Sequence, residues 1–360
     1  MNITFFISCT YGGGAERVTC SLASYLAQKG HRVEILVMSE SKKSYPLDPA
    51  VTVTPLLKAG EKKNGLYNNA LRVLRLRRYL KRRGDIDHYV VMLPRTTLML
   101  LMLRGKTRAK ITTSERVDPA TYPTKLAKQL RRYAKRADGF VFQTRDAMDW
   151  YGAAVDGCQT EVIPNAINAE FIREPYRGAR KKRIVAAGRL NKQKNFALLI
   201  RAFSEIAPRF PDVALSIFGE GEEREDLERL IASLGLKGRV ILEGRTDQMA
   251  QELEQSSLFV LSSDFEGMPN ALMEAMASGL PCISTDCPCG GPRFLIRDGE
   301  NGLLVPVGDE KAMARAMETM LGDPDGAWKM GRKAEDVKRD LAPEVIYGQW
   351  EAFLNRLDRR

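Results

Sequence analysis

The chain has 360 residues, 44% hydrophobic and 28% charged, a composition that excludes collagen-like, low-complexity and disordered classes and has material for two buried cores. Its net charge of +11 is unevenly placed: residues 1–180 hold 31 Lys+Arg against 16 Asp+Glu, whereas residues 181–360 hold 25 against 29. The apolar run 96–103 falls far short of the ~18 residues of a spanning helix, and residues 1–8 lack the basic flank of a signal peptide.

In chain order, residues 3–7 read as a strand, followed by the glycine loop 12–14 and a helix over 15–29 with Val18, Leu22 and Leu26 inward, stopped by Gly30. A strand is expected at 33–38, and apolar runs at 89–93, 110–113 and 139–143 suit further strands of a parallel sheet, alternating with basic helices. In the basic stretch 66–83, Leu76 and Leu80 share a helical face with Val73 and Tyr79 beside it, while Arg72, Arg75, Arg77, Arg78, Lys81, Arg82 and Arg83 interleave. The stretch 125–136 reads the same way, with Leu126, Leu130 and Tyr133 on one side. Such faces suit plain solvent, nucleic acid or an anionic membrane, where each cation near the headgroups contributes ~1 kcal/mol. No zinc finger, basic zipper or aromatic RNA-binding signature accompanies the charge, so the membrane is the expected partner and nucleic acid is not.

The region 164–182 breaks the periodicity and is the expected join. Beyond it, strands are expected at 183–187, 213–218, 240–243, 258–261, 281–284 and 302–305, with helices at 196–207, 222–234, 248–255, 270–277 and 311–320. Phe196, Leu199, Ile200 and Phe203 fall at helical spacing on one stripe. The fold class is therefore α/β, two Rossmann-like doubly wound domains, whose strand carboxyl ends should face one ligand-binding cleft. The six cysteines read as reduced thiols of a cytosolic protein. Cys287-Pro288-Cys289 lacks zinc spacing and the chain has two histidines, so no metal centre is expected.

Two segments concentrate chemistry. Glu266 and Glu274 flank a loop-to-helix junction after the 258–261 strand, and the backbone N–H groups of Gly267, Met268, Pro269-Asn270 and the first helical turn suit an anion beside paired sugar hydroxyls. Proline, which has no N–H, contributes only its fixed backbone. Arg189 and Lys194 follow another strand and open a helix, where cations can neutralise a diphosphate.

GGGAER at 12–17, AAGRLNKQKN at 186–195, SSDFEGMPNALMEAMASGLPCISTDCPCGGP at 262–292 and NGLLVPVGD at 301–309 together resemble the family-four retaining glycosyltransferases with a GT-B fold. Ser114-Glu115-Arg116 with Asp118-Pro119 resembles a segment of that family's bacterial polysaccharide-assembly members. The resemblance implies an N-terminal acceptor-binding domain over 1–168, with a C-terminal helix at about 343–360 packing back on it, and a nucleotide-sugar-binding domain over 169–342. It implies that Arg189 and Lys194 bind the donor diphosphate and stabilise the departing nucleotide, that Glu266 contacts the donor sugar and Glu274 the ribose. Gly13 and Gly14 would admit the diphosphate, with Glu16, Arg17 and Glu115 on the acceptor side. The family needs no metal or other cofactor, the nucleotide diphosphate sugar serving as co-substrate. Asp85-Ile86-Asp87 echoes a metal-binding triplet but reads as a turn.

Many family members carry a catalytic histidine in the first domain. Here His31 and His88 read as structural and Glu115 and Arg116 occupy the corresponding region, so no general base is assigned. The expected activity is transfer of a hexose or N-acetylhexosamine, preferably from a UDP-sugar, to a lipid-linked glycan at the inner face of the cell membrane. Competing readings are a non-catalytic nucleotide-sugar-binding or membrane adaptor protein, and an NAD-dependent oxidoreductase, the latter opposed by Arg17 at the third-glycine position of the dinucleotide fingerprint.

Overall fold

The chain, seen in a computed structural model, is described over residues 1–41, 43–61, 65–176 and 178–359. The Leu66 side chain, Arg177 in the expected join and Arg360 at the end of the expected C-terminal helix lie outside the described residues. The chain divides into two compact units, 1–166 with 344–360, and 167–343. The expected boundary at 168/169 thus lies two residues late.

The first unit holds β1 (Asn2–Ile7), β2 (Arg32–Val37), β3 (Thr52–Pro55), β4 (His88–Val91), β5 (Lys110–Glu115), β6 (Gly139–Phe142) and β7 (Gln159–Val162), all parallel, in the order β3-β2-β1-β4-β5-β6-β7. The second holds β8 (Arg183–Ala187), β9 (Ala214–Phe218), β10 (Val240–Gly244), β11 (Leu258–Leu261), β12 (Cys282–Thr285) and β13 (Leu303–Val305), in the order β10-β9-β8-β11-β12-β13, again parallel. Both are doubly wound sheets whose order reverses beside the first strand, between β1 and β4 and between β8 and β11. The strands missing from the sequence reading, β3 and β7, are the two edges of the first sheet. Their side chains are half-buried or exposed, so they lack the continuous apolar run that marks a strand covered on both faces.

The helix Pro343–Asp358 belongs to the first unit save for its first residue. Its Phe353 and Leu357 press on Gly139, where a Cβ would lie 2.8 Å from the Phe353 ring. Both histidines of the chain reach this helix: His31 Nε2 lies 2.8 Å from Glu351 and the buried His88 Nε2 2.9 Å from Asp358. Asp85 and Asp87 are spent locally, Asp85 on Arg83 at 2.8 Å and Asp87 on the Asn2 amide at 2.7 Å.

All six cysteines are free thiols. Burial pushes Cys20 and Cys287 up to about 12 and raises Cys282 as well, which suppresses the reactive thiolate. Iodoacetamide at pH 8 is expected to leave these three unmodified in the folded protein and to label them in urea, as mass spectrometry of the digested chain would read.

Candidate functional site

The loops that follow β8 and β11 meet where the second sheet reverses its order, and side chains and backbone lock them together. Asn195 sits in the left-handed region at φ 44°, a conformation that asparagine tolerates better than most residues. Its side chain caps the helix Phe196–Ile206 by accepting from the Leu198 amide at 3.2 Å and donates to Asp264 at 2.8 Å. The Asp264 amide donates to the Gln193 carbonyl at 2.8 Å, and Ser262 Oγ to the Lys194 carbonyl at 2.8 Å. Lys194 is therefore held at its backbone before its ammonium makes any contact.

That ammonium lies 2.5 Å from Glu266 Oε1, with the two side chains only 16% and 9% exposed. Ser263 Oγ donates to the same oxygen at 2.7 Å. The stem of Lys194 runs across Gly188, where a Cβ would fall 2.8 Å from Lys194 Cε. Arg189, in the same loop, is exposed, and its guanidinium has no hydrogen bond or ion pair among the described residues. One cation is thus anchored to a carboxylate and a second stands open to solvent, a combination that can meet an anionic ligand without first losing a partner at Arg189.

Glu266 is fixed in turn by reciprocal backbone bonds: its amide donates to the Pro288 carbonyl at 2.6 Å, and its carbonyl accepts from the Cys289 amide at 2.6 Å. Gly291, at the end of the loop after β12, lets that loop close on the one after β11, since a Cβ there would lie 1.9 Å from the Gly267 carbonyl oxygen. The helix Asn270–Ala277 then starts beside them, and Pro269 at its N-cap gives no side-chain cap. Glu274 is buried one turn in, and Met268 is buried beside the loop. The structure thus brings Arg189, Lys194, Glu266 and residues 267–274 to one end of the second sheet. Sequence reading missed Ser263, Asp264, Asn195, Gly188 and Gly291, all of which position that cluster. A glycine immediately after a strand was the available signal for Gly188.

The first unit presents its expected residues differently. Gly12 has φ +116°, which suits the sharp turn into the helix Gly14–Gln28. A Cβ on Gly13 would meet Glu16 Oε2 at 2.5 Å, so the Glu16 carboxylate folds back over its own helix start, as a third-position glutamate in a capping box does. Arg17 is half-buried in the same turn.

Glu115 departs furthest from expectation. An acceptor contact should be open, but Glu115 is buried at the end of β5. Its Oε1 accepts from Tyr122 and from the Arg116 amide, and its Oε2 from Tyr151 at 2.8 Å. The neighbouring Arg116 donates to Asn165 at 2.6 Å and lies over the Trp350 ring at 5.5 Å. Burial lowers its guanidinium to about 10, and Nε and Nη2 have no partner among the described residues.

Burial also raises the Glu115 carboxyl above the ordinary 4.5, against the hydrogen bonds of its two tyrosines. A raised folded-state value means that the native state holds a proton the unfolded chain has already released. The group's contribution to stability is thus fully present below pH 4.5 and is lost as pH rises through the folded value. Glu115→Gln is expected to flatten this dependence. Urea midpoints at pH 5 and pH 8 should fall less in the variant than in the parent.

Two family descriptions match the chain in series: "Glycosyltransferase Family 4" over residues 12–171 and "Glycosyl transferases group 1" over residues 181–323. The exopolysaccharide phosphotransferase SCO2592 of Streptomyces coelicolor is 29% identical across 100% of this chain, which spans only 41% of that protein's length. An alpha-1,4-N-acetyl-D-galactosaminyltransferase of Campylobacter jejuni, whose name specifies an undecaprenol-diphosphate-linked glycan, is 25% identical over 97% of each chain. Among solved structures, Anabaena HepE in complex with UDP superposes with a TM-score of 0.83 at 18% identity, covering 99% of this chain and 100% of that one. With these matches spanning both doubly wound units, the chain belongs to the family-four type of glycosyltransferases with the GT-B fold.

Proposed function

We propose that the chain is a retaining, metal-independent transferase that moves a hexose or N-acetylhexosamine from a nucleotide diphosphate sugar, preferably a UDP-sugar, to a lipid-linked glycan. The observation that carries this reading is the Lys194–Glu266 pair at 2.5 Å beside the open Arg189, at the switch point of the second sheet. Arg189 and Lys194 bind the diphosphate and stabilise the negative charge that grows on it as the bond from sugar C1 to the phosphate oxygen breaks. These two cations do the work that a metal does in other transferases. The N-terminal end of the helix Asn270–Ala277 adds its dipole to the same task. Glu266 orients a hydroxyl of the donor sugar, and Glu274 the ribose hydroxyls.

Retention follows when the acceptor hydroxyl attacks C1 on the face from which the nucleotide leaves and passes its proton to the departing phosphate oxygen. No side chain is then required as a general base. UDP is favoured because HepE was solved with UDP, and the lipid-linked acceptor because the Campylobacter jejuni relative is named for one. The test is transfer from a panel of UDP-, GDP- and ADP-sugars to a diphospho-prenol-linked glycan, with the product anomer read by NMR. Retained configuration with a UDP-sugar and no added divalent ion is the expected result; an inverted product or an obligate metal contradicts it.

Attachment to the inner membrane face is part of the same proposal. On the helix Gly65–Arg82, Arg72 bonds the Met38 carbonyl at 3.2 Å and Arg75 pairs with Glu61 at 2.6 Å. Arg77, Arg78, Lys81 and Arg82 stay exposed beside Val73 and Leu74, the latter 58% exposed. In the stretch 125–136, Lys125, Lys128, Arg131, Arg132, Lys135 and Arg136 are likewise exposed, with Leu130 buried beneath. Among the described residues no helix is long and apolar enough to cross a membrane, so the attachment proposed is peripheral. Replacing Arg77, Arg78, Lys81 and Arg82 by alanine is expected to weaken binding to anionic vesicles by up to about three decades, at ~1 kcal/mol per cation. Sedimentation checks this, and equal binding of neutral and anionic vesicles would contradict it.

A further inference from the structure

At the amino ends of the second unit's strands lies a cavity of about 570 Å³. Lys182 leads into β8, Val213 into β9, Ser257 into β11 and Pro281 into β12, and all four line it. A strand of this length at ~3.3 Å per residue puts the cavity on the order of 15 Å from the Lys194–Glu266 pair. It is therefore a separate site, and a ligand held there requires nothing of the transfer reaction.

The wall is apolar. Phe210, Met320 and Leu321 form it, and Trp328 stands beside them still 57% exposed. An indole left this open next to a cavity offers apolar surface to a ligand. The rim is cationic. Arg180, Lys181, Lys182 and Arg209 line it against a single lining carboxylate, Asp212.

These cations are not equally committed. Arg180 is tied to the carbonyls of Ser256 and Ser278 at 3.3 and 3.1 Å. Arg209 pairs with Glu318 at 2.6 Å, and Lys182 with Asp212 at 3.1 Å, the latter pair 70% and 73% exposed and so strongly screened. Lys181 has no ion pair among the described residues. A pocket of apolar wall and positive rim is matched by an amphiphile with an anionic head.

We propose that this cavity binds an alkyl or prenyl chain that ends in a phosphate, the chain lying against Trp328, Phe210 and Met320 and the phosphate on Lys181 and the neighbouring rim cations. Burial of each methylene is worth about a fourfold gain in affinity, and the charged head supplies the preference over an alcohol.

The test uses the full chain and calorimetry with monomeric decyl phosphate below its micelle concentration, beside octyl phosphate, decanol and inorganic phosphate. Decyl phosphate, with two more methylenes, is expected to bind about fifteenfold more tightly than octyl phosphate, and more tightly than decanol. Trp328→Ser and Lys181→Glu, both at exposed positions, should each weaken it at least fivefold while melting as the parent does. Decyl phosphate binding no better than inorganic phosphate, decanol binding as well as decyl phosphate, or variants that bind like the parent would each overturn the proposal. Vesicles identify the source of the chain. Loss of binding to anionic vesicles in Trp328→Ser supports a bilayer lipid in the cavity, and loss of monomer binding alone supports a free amphiphile.

Discussion

Lys194→Met is expected to lower kcat by about 10²–10³, the usual loss when one preorganised donor to a developing anion is removed. The effect should fall on kcat more than on KM, because Arg189 still draws in the diphosphate while the charge that appears as the nucleotide departs is no longer met. The single variant also strands the Glu266 carboxylate, 9% exposed and bonded to Ser263, at a cost of about 3 kcal/mol, the low end for a buried pair. Pairing it with Glu266→Gln removes the stranded charge and isolates the stability effect, read as recovery of the melting temperature, because Glu266 is itself placed on the donor sugar. The double variant should regain most of the melting temperature and none of the activity. Activity that returns together with stability would show that Lys194 serves the fold and not the reaction.

Gly219→Ala should lower the stability of the second unit by about 3 kcal/mol or more, the sum of overpacking and of an alanine forced to a positive φ. Gly219 has φ +144°, and a Cβ there would lie 1.8 Å from the Gly188 carbonyl oxygen. Neither side can yield easily: Gly188 donates to the Phe218 carbonyl at 2.9 Å and Gly219 to the Gly244 carbonyl at 2.7 Å. Gly308→Ala is the control, because its φ is +75° and nothing lies within 4 Å of an added Cβ; about 1 kcal/mol of backbone strain is expected there. Since Gly188 lies under the stem of Lys194, any Gly219→Ala protein that folds should also lose kcat. Equal melting temperatures for the two alanine variants would refute the packing argument.

The legible part of the fold was the part written in apolar periodicity. Residues such as Phe196, Leu199, Ile200 and Phe203 are buried where their spacing put them, and both sheets are parallel and doubly wound. The helix Pro324–Ala334 escaped notice because its buried residues are Ala327, Gly331 and Ala334, small side chains that leave almost no hydrophobic signal. Gly331 is required there, since a Cβ would come within 2.5 Å of the Gly279 carbonyl oxygen.

In the candidate site, the charged pairs could be read because charge at a strand's carboxyl end is a chemical signal in itself. Their supports could not. Ser263, Asp264 and Asn195 act through hydrogen bonds to residues about 70 positions away or to their own loop, and single-chain spacing carries no trace of such partners. Glu115 shows the converse. Its identity suggested an open acid, and only the tyrosines at positions 122 and 151, brought in by tertiary packing, reveal a buried one.

On the proposed function, the loops after β8 and β11 form the seat of a nucleoside diphosphate. Hydrogen–deuterium exchange of the full chain, with and without saturating UDP, GDP or ADP, tests it directly. Slower exchange confined to residues 188–195 and 264–274 with at least one of the three is the expected result. Unchanged exchange in both segments, or protection elsewhere in their place, would contradict it.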